Sequence, residues 1–388
     1  MNTENASQFA SLGEPPLLVL LIPFFITIIG TPIARDIALK LGIVDKPVAQ
    51  SSKIHKTPIP YLGGVPFFAA VFTGTLIVLH QTSRVLPDYF NPWLILAAIA
   101  FVFLVGFWDD IRGMIPGTKM LLLGIAGTVL FFGGAKVTFI PEAWGIAGQV
   151  FAWMLTLFWI LGITNSANLI DNMNGLSAGA GIVAGLSILA IATRGGDPVG
   201  IGLSLILVGG LLGYIPYNYP KAQIFFGDAG SITLGFFLSI LGLLAGRLPA
   251  PQSFHPLSYT LGPILVMGLF VFDTFFVAFS RGKRKINFWW GGRDHTSHRF
   301  VNYGFSRPLA VALCWVMGLI FGIGGFAAKV SPWWLASLIA VALLAGGIWF
   351  GFLIDRIPVQ AIKVSAIGGG KLLYHDQPAD SPSHDDAK

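Results

Sequence analysis

The residues of this chain that could do chemistry are few and clustered. Asp109 and Asp110 end an apolar run as Gly106-Phe-Trp-Asp109-Asp110. Asn168 and Asp171 sit in Asn165-Ser-Ala-Asn168-Leu-Ile-Asp171-Asn172-Met-Asn174-Gly175, and Asn218 and Asp228 in Tyr217-Asn218-Tyr-Pro-Lys221 through Gly227-Asp228. Lys53-Ile-His-Lys56 runs into Pro58-Ile-Pro-Tyr61-Leu-Gly63-Gly64, and Arg293-Asp-His295-Thr-Ser-His298-Arg299 closes a basic loop. Adjacent helical carboxylates point about 100° apart. One of Asp109 and Asp110 can therefore meet a metal or phosphate while the other acts as base or supports the ligands. Lys119 begins the next apolar run and could neutralise that pair or a substrate. Asn168 and Asp171 are three apart and share a helical face. Asp228 stands where a helix begins, a place that receives phosphate, and one Asp with phosphates and waters is an ordinary Mg²⁺ site.

Each cluster also has a plain alternative: a solvated helix end for Asp109 and Asp110, a capped turn for the Asn-rich segment, simple N-capping by Asp228, and a topology anchor for Lys53 and Lys56. His295 and His298 could share a zinc ion, but no cysteine is near, and Arg293 and Arg299 favour an anionic ligand such as a diphosphate.

The elements that must position these residues are membrane spans. Of 388 residues, 54 % are hydrophobic and 11 % charged, far below the charge of a soluble domain. Apolar stretches of roughly 20 residues, the length of a spanning helix, occur at about 15–35, 63–80, 92–108, 119–134, 148–166, 177–193, 199–216, 230–246, 259–280, 308–328 and 333–353. The expectation is an all-α integral membrane bundle of about eleven transmembrane helices. Residues 1–353 form the polytopic catalytic domain and 354–388 a cytoplasmic, largely disordered tail. With the N-terminus outside and the C-terminus inside, 19 of the 24 Lys and Arg residues fall in inner segments and five in outer ones, which satisfies the positive-inside rule. That bias accounts for the net charge of +6 without nucleic-acid binding. It also puts every acid and His/Arg cluster on the inner face, where a water-soluble donor could meet a lipid acceptor in Mg²⁺-assisted transfer of a phosphorylated group.

In this order, the motifs resemble the polyprenyl-phosphate N-acetylhexosamine-1-phosphate transferases (glycosyltransferase family 4), and the Pro-Ile-Pro loop and histidine loop look like the N-acetylglucosamine branch. The resemblance spans roughly residues 30–310. It implies a phosphoglycosyl transferase at the plasma (inner) membrane with its site facing the cytoplasm. Such an enzyme transfers a sugar 1-phosphate from a UDP-N-acetylhexosamine, UDP-GlcNAc foremost, to polyprenyl (undecaprenyl) phosphate, using Mg²⁺, with Mn²⁺ as a substitute. This is the first membrane step of cell-wall or surface polysaccharide synthesis, lipopolysaccharide and teichoic acid included. A homodimer is compatible with it. By the same resemblance, Asp228 matches the metal-binding Asp, Asp109 the base or lipid-phosphate contact with Asp110 as its partner, and Asp171 a further catalytic acid. Asn218 matches a polar active-site residue, Lys119 a basic residue near the substrate phosphates, and His295 and His298 the outer histidines of a His-x-His-His loop. The chain departs at Asn174, Ser297 and Tyr61, where the family often has Asp, His and Arg. The competing reading is an ion-coupled transporter. Transporters hold their acids near the bilayer midplane, whereas these lie at span ends on one side.

Overall fold

The computed structural model describes residues 16–45, 58–83, 86, 90–247, 256–288, 292–359, 361–367 and 371–377. Lys53 and Lys56, expected to bind substrate, lie outside the described residues. The apolar helices are α1 (Pro16–Leu41), α2 (Gly64–Gln81), α3 (Pro92–Arg112), α4 (Pro116–Phe132), α5 (Gly145–Ile170), α6 (Leu176–Gly195), α7 (Pro198–Asn218), α8 (Gly227–Ala245), the pair α9 (Pro256–Val266) and α10 (Gly268–Lys283), then, after the short α11 (Thr296–Tyr303), α12 (Arg307–Lys329) and α13 (Trp333–Asp355). Nine of these are long and apolar enough to cross a membrane. α9 and α10 form a broken span bent by 69°, and α4 is a shorter apolar helix. Together they coincide with the eleven apolar segments. The bend is the feature that hydropathy does not announce. In the segment expected to be disordered, β3 (Ala361–Ile367) pairs antiparallel with β4 (Lys371–Gln377).

Local signals set the helix boundaries. Asn91 caps α3, its side chain accepting from Trp93 N at 3.0 Å and Leu94 N at 3.2 Å, with Pro92 in the first turn. Asp197 caps α7 in the same way ahead of Pro198. A proline there gives up no intrahelical bond. Prolines inside helices do free carbonyls. Pro32 in α1 cannot donate to Ile28 O, and the Tyr217 hydroxyl donates to that oxygen instead at 2.8 Å.

α8 is the central helix, buried along nearly its whole length, and α2, α3, α5 and α6 pack around it. Two glycines bring neighbouring backbones against its first turn. A Cβ on Gly64 would meet the backbone of Ala229 and Gly230, and one on Gly106 would lie 2.6 Å from Asp228 O and 2.8 Å from Ala229 Cα. Small residues permit this close helix approach in a membrane. At the same end, β1 (Val44–Asp45) pairs with β2 (Ile59–Pro60), and Phe225 N donates to Pro60 O at 2.8 Å, which ties the segment before α2 to the segment before α8.

Gly106→Ala is therefore expected to destabilise the protein by about 1–3 kcal/mol through overpacking against backbone. Gly124→Ala in α4, whose Cβ would meet nothing within 4 Å, should be neutral or slightly stabilising. Thermal unfolding of both variants in detergent checks this, and equal melting shifts would refute the close approach at Gly106.

Candidate active site

A cavity of about 1140 Å³ opens where the helices end on one side of the bundle. Asp109, Asp110, Asn168, Asp171, Asn218, Asp228, Arg293 and His298 all line it, so eight expected residues from five chain segments meet there. Lys119 joins them from the first turn of α4. Its ammonium lies 2.8 Å from Asp109 Oδ2 and 2.8 Å from Asp228 Oδ2 and donates to Asn168 Oδ1 at 3.4 Å.

Asp109 and Asp110 diverge as neighbours on a helix must. Asp109 takes the lysine, while Asp110 turns to the start of α8 and accepts from Asp228 N at 2.8 Å and Ala229 N at 2.9 Å. Asp110 thus caps α8 from another helix. A carboxylate suits the partial positive charge of that terminus and satisfies two amides that have no intrahelical partner. Gly227, at φ 72°, lets the chain turn into α8 beside the Asp110 carboxylate. Asn168 Nδ2 holds Asp228 Oδ1 at 2.6 Å and donates to Ser231 Oγ at 2.8 Å. The acids and their lysine are therefore fixed from α3, α4, α5 and α8 together.

The next turn is stitched by amides. Asn218 Oδ1 accepts from Gly175 N at 2.5 Å, and Asn218 Nδ2 donates to Ile224 O at 2.9 Å. Asn218 thus spaces the α5–α6 turn from the α7–α8 loop. Asp171 follows α5 and accepts from Ser177 Oγ at 2.5 Å. Burial, aided by the charge of Asp228, pushes its carboxyl up to about 7 against the Ser177 bond. Asn174, at one of the departures from the family pattern, donates to Pro220 O at 3.3 Å.

The histidine loop divides by role. His298 faces the cavity. Burial first, then the charges of His295 and Arg293, bring its imidazole down to about 3, so it is neutral at physiological pH. His295 turns away: its Nδ1 pairs with Asp273 Oδ2 at 2.7 Å, and Thr296 N donates to Asp273 Oδ1 at 2.9 Å. Arg299, expected at the substrate, is not brought to the cavity. Its guanidinium donates to the carbonyls of Asp355 and Ile357 and to Ser280 Oγ, which ties α11 to the end of α13. Arg281 and Arg284 grip Asp294 from α10 and just beyond it, at 2.7 Å and 2.6 Å, and Ser297 Oγ donates to Asn172 Oδ1 at 2.8 Å. The zinc alternative finds no support. The rings of His295 and His298 are 6.2 Å apart, and among the described residues no three His, Cys, Asp or Glu side chains group closely enough to hold a metal.

Sequence reasoning missed Asp273, Arg307 and Asp45. Asp273 is an acid inside the apolar run Gly268-Leu-Phe-Val-Phe-Asp273, and an intramembrane carboxylate is itself a signal of function. Arg307 and Asp45 line the cavity and carried no spacing cue.

The fold and site thus define an all-α membrane bundle whose acids, lysine and neutral imidazole converge at the helix ends on one side. Comparison with known proteins gives the family. The profile of glycosyl transferase family 4 matches residues 92–246. The chain is 31 % identical over 333 residues to the probable undecaprenyl-phosphate N-acetylglucosaminyl 1-phosphate transferase of Bacillus subtilis (strain 168), covering 84 % of this chain and 89 % of that one. It is 30 % identical over 336 residues to a phospho-N-acetylmuramoyl-pentapeptide-transferase of Synechococcus sp. (strain RCC307), covering 82 % and 89 %. It is 27 % identical over 337 residues to a decaprenyl-phosphate N-acetylglucosaminephosphotransferase of Mycobacterium tuberculosis (strain CDC 1551 / Oshkosh), covering 79 % and 81 %. The chain belongs to glycosyl transferase family 4 and is a phosphoglycosyl transferase.

Asp294 yields a stability prediction. Burial works to raise its carboxyl, but the hydrogen bonds and charges of Arg281 and Arg284 win and hold it below the usual carboxylate range. Breaking this buried pair with Asp294→Asn should cost about 3 kcal/mol at neutral pH. Because the folded value is depressed, the wild-type advantage is full above about pH 4, the ordinary Asp value, and is lost as pH falls below it. Melting curves of both proteins at several pH values check this. A deficit that persists unchanged to low pH would refute the ionic account.

Proposed function

We propose that the protein transfers a sugar 1-phosphate from a UDP-N-acetylhexosamine, UDP-GlcNAc first among them, to polyprenyl phosphate, releasing UMP and leaving a polyprenyl-diphospho-sugar. The observation that carries the reading is the Asp109–Lys119–Asp228 group at the head of α8, inside a cavity at the ends of the spans. A donor from the water and an acceptor from the bilayer can reach one point only at such a boundary. The distribution of Lys and Arg supports a cytoplasmic site in a plasma (inner) membrane, and the names of the relatives support a place at the first membrane step of cell-wall or surface polysaccharide synthesis.

A phosphate oxygen of the lipid attacks the sugar-bearing phosphorus of the donor, and the bond to the oxygen that leaves with UMP breaks. Catalysis of this kind is mainly positioning and charge stabilisation. The donor set fits Mg²⁺. Asp109 and Asp228 aim two hard carboxylates at one cation position, and one or two carboxylates completed by substrate phosphates is how Mg²⁺ is usually held. Bound there, the ion would neutralise charge developing on the diphosphate. Asp110 keeps the head of α8 and Asp228 in place. His298, being neutral, can donate one hydrogen bond to an oxygen of the donor or accept one from it.

The direct test incubates purified protein with Mg²⁺, polyprenyl phosphate and a panel of UDP-sugars and follows UMP. Release is expected with a UDP-N-acetylhexosamine and should stop on chelation. Asp228→Asn should lower it at least about 10³-fold while the protein still melts as wild type. Wild-type turnover in that variant would remove Asp228 from the metal site. A pH series tests His298. As it is already uncharged, His298→Gln should slow turnover yet keep the wild-type profile between about pH 6 and 9. A limb near the ordinary histidine value that vanishes in the variant would contradict the neutral imidazole.

A further inference from the structure

We propose that Lys119 is a built-in placeholder for the divalent cation: its ammonium occupies the cation position between Asp109 and Asp228, and metal entry moves it out onto substrate phosphate. The inference rests on the functional reading above and adds a conformational exchange to it.

The first argument is the count of donors. An ammonium has three N–H groups and no acceptor. Those of Lys119 are directed to Asp109 Oδ2 at 2.8 Å, Asp228 Oδ2 at 2.8 Å and Asn168 Oδ1 at 3.4 Å. None is left for a phosphate. While Lys119 stays there, the one cation that among the described residues touches both acids is closed to substrate, and the carboxylate oxygens a metal would need are taken.

The second argument is that the acids cannot separate. Asp109 closes α3, and Asp228 opens the enclosed helix α8. The two amides at the head of α8 are clamped by Asp110, and Asp228 Oδ1 is held by Asn168, which is itself bonded to Ser231. Two ionised carboxylates on backbones fixed this close need positive charge between them, since like charges a few ångströms apart repel in a partly buried site. With both acids ionised the position must hold a cation, which can be the ammonium or a metal.

The third argument is mobility. Asp228 is held by Asn168 and stands on a clamped helix end, whereas the Lys119 ammonium is held only by the two acids and Asn168. Its long flexible stem rises from the first turn of α4, a helix whose start has no side-chain cap. Its side chain keeps 15 % of its surface exposed. Withdrawing the ammonium exposes two carboxylate oxygens and frees three N–H groups in one motion. Metal binding thereby delivers a lysine to the phosphates.

The test titrates Mn²⁺ into the full-length protein in detergent, without substrates, and reads free Mn²⁺ by its paramagnetic resonance signal. Lys119→Met removes the competing charge and should bind Mn²⁺ about tenfold tighter than wild type while losing turnover. Lys119→Arg, whose planar fork grips carboxylates more firmly, should bind it more weakly than wild type. Adding Asp228→Asn should abolish the gain of Lys119→Met. Unchanged or weaker Mn²⁺ binding in a Lys119→Met protein that melts as wild type would overturn the proposal, as would a gain that survives Asp228→Asn. If Lys119→Met does not fold, the arginine variant decides: weaker binding supports the exchange, and equal or tighter binding overturns it. Absence of UMP release by wild type with every UDP-sugar would defeat the functional reading instead, because this titration needs no donor.

Discussion

The structure depends on one capping contact. The carboxylate of Asp110 receives the first amides of α8, and α8 is the helix around which the bundle packs. The contact joins α3 to α8 across 118 residues of sequence. Because Asp109 is the preceding residue, the same contact sets the distance from Asp109 to Asp228. Gly64 and Gly106 complete the constraint from the packing side, because only a residue without Cβ lets α2 and α3 reach the backbone of that turn. Electrostatics at the helix terminus and close packing behind it fix one point, and the site is assembled there.

The histidine loop shows the same economy. It contributes His298 and Arg293 to the cavity and uses most of its other polar groups as fastenings. Asp273 holds the start of α11, Arg281 and Arg284 hold Asp294, and Arg299 reaches the end of α13. Burial of so much charge is tolerable because nearly every group is paired, and an unpaired one would be costly. The result is a rigid short helix that presents an uncharged imidazole.

Much of this was legible in the sequence. Nine of the eleven apolar segments are helices long and apolar enough to span, and the other two are the broken pair α9–α10 and the shorter α4, because a run of about 20 apolar residues has few other uses. Asp109, Asp171, Asp228 and Asn168 stood out because acids and amides at span ends are expensive without purpose. What stayed hidden was direction. Spacing would put His295 and His298 on one helical face, but His295 stands extended just before α11 and turns to Asp273, while His298 faces the cavity. Arg299 read as a ligand for phosphate because an arginine beside histidines carries no mark of the carbonyls it will meet. The capping role of Asp110 was equally invisible, since its partners are the backbone amides of residues far along the chain. The bend between α9 and α10 was hidden because a break at Met267 leaves hydropathy unchanged.

Every residue of the site stands at or near the end of a span, and this makes the thickness of the surrounding bilayer a structural parameter of the enzyme. Spans adjust to a thicker or thinner hydrocarbon layer by tilting, and tilt is largest where lipid rather than protein is the neighbour. α8 is wrapped by other helices and is insulated, whereas α13 has only Ala336, Gly351 and Ile354 buried. The far end of α13 is Asp355, which holds Lys283 and lies against Arg299. A change of lipid thickness therefore reaches the histidine loop first and the head of α8 last. The surrounding membrane thus acts on the geometry of the site.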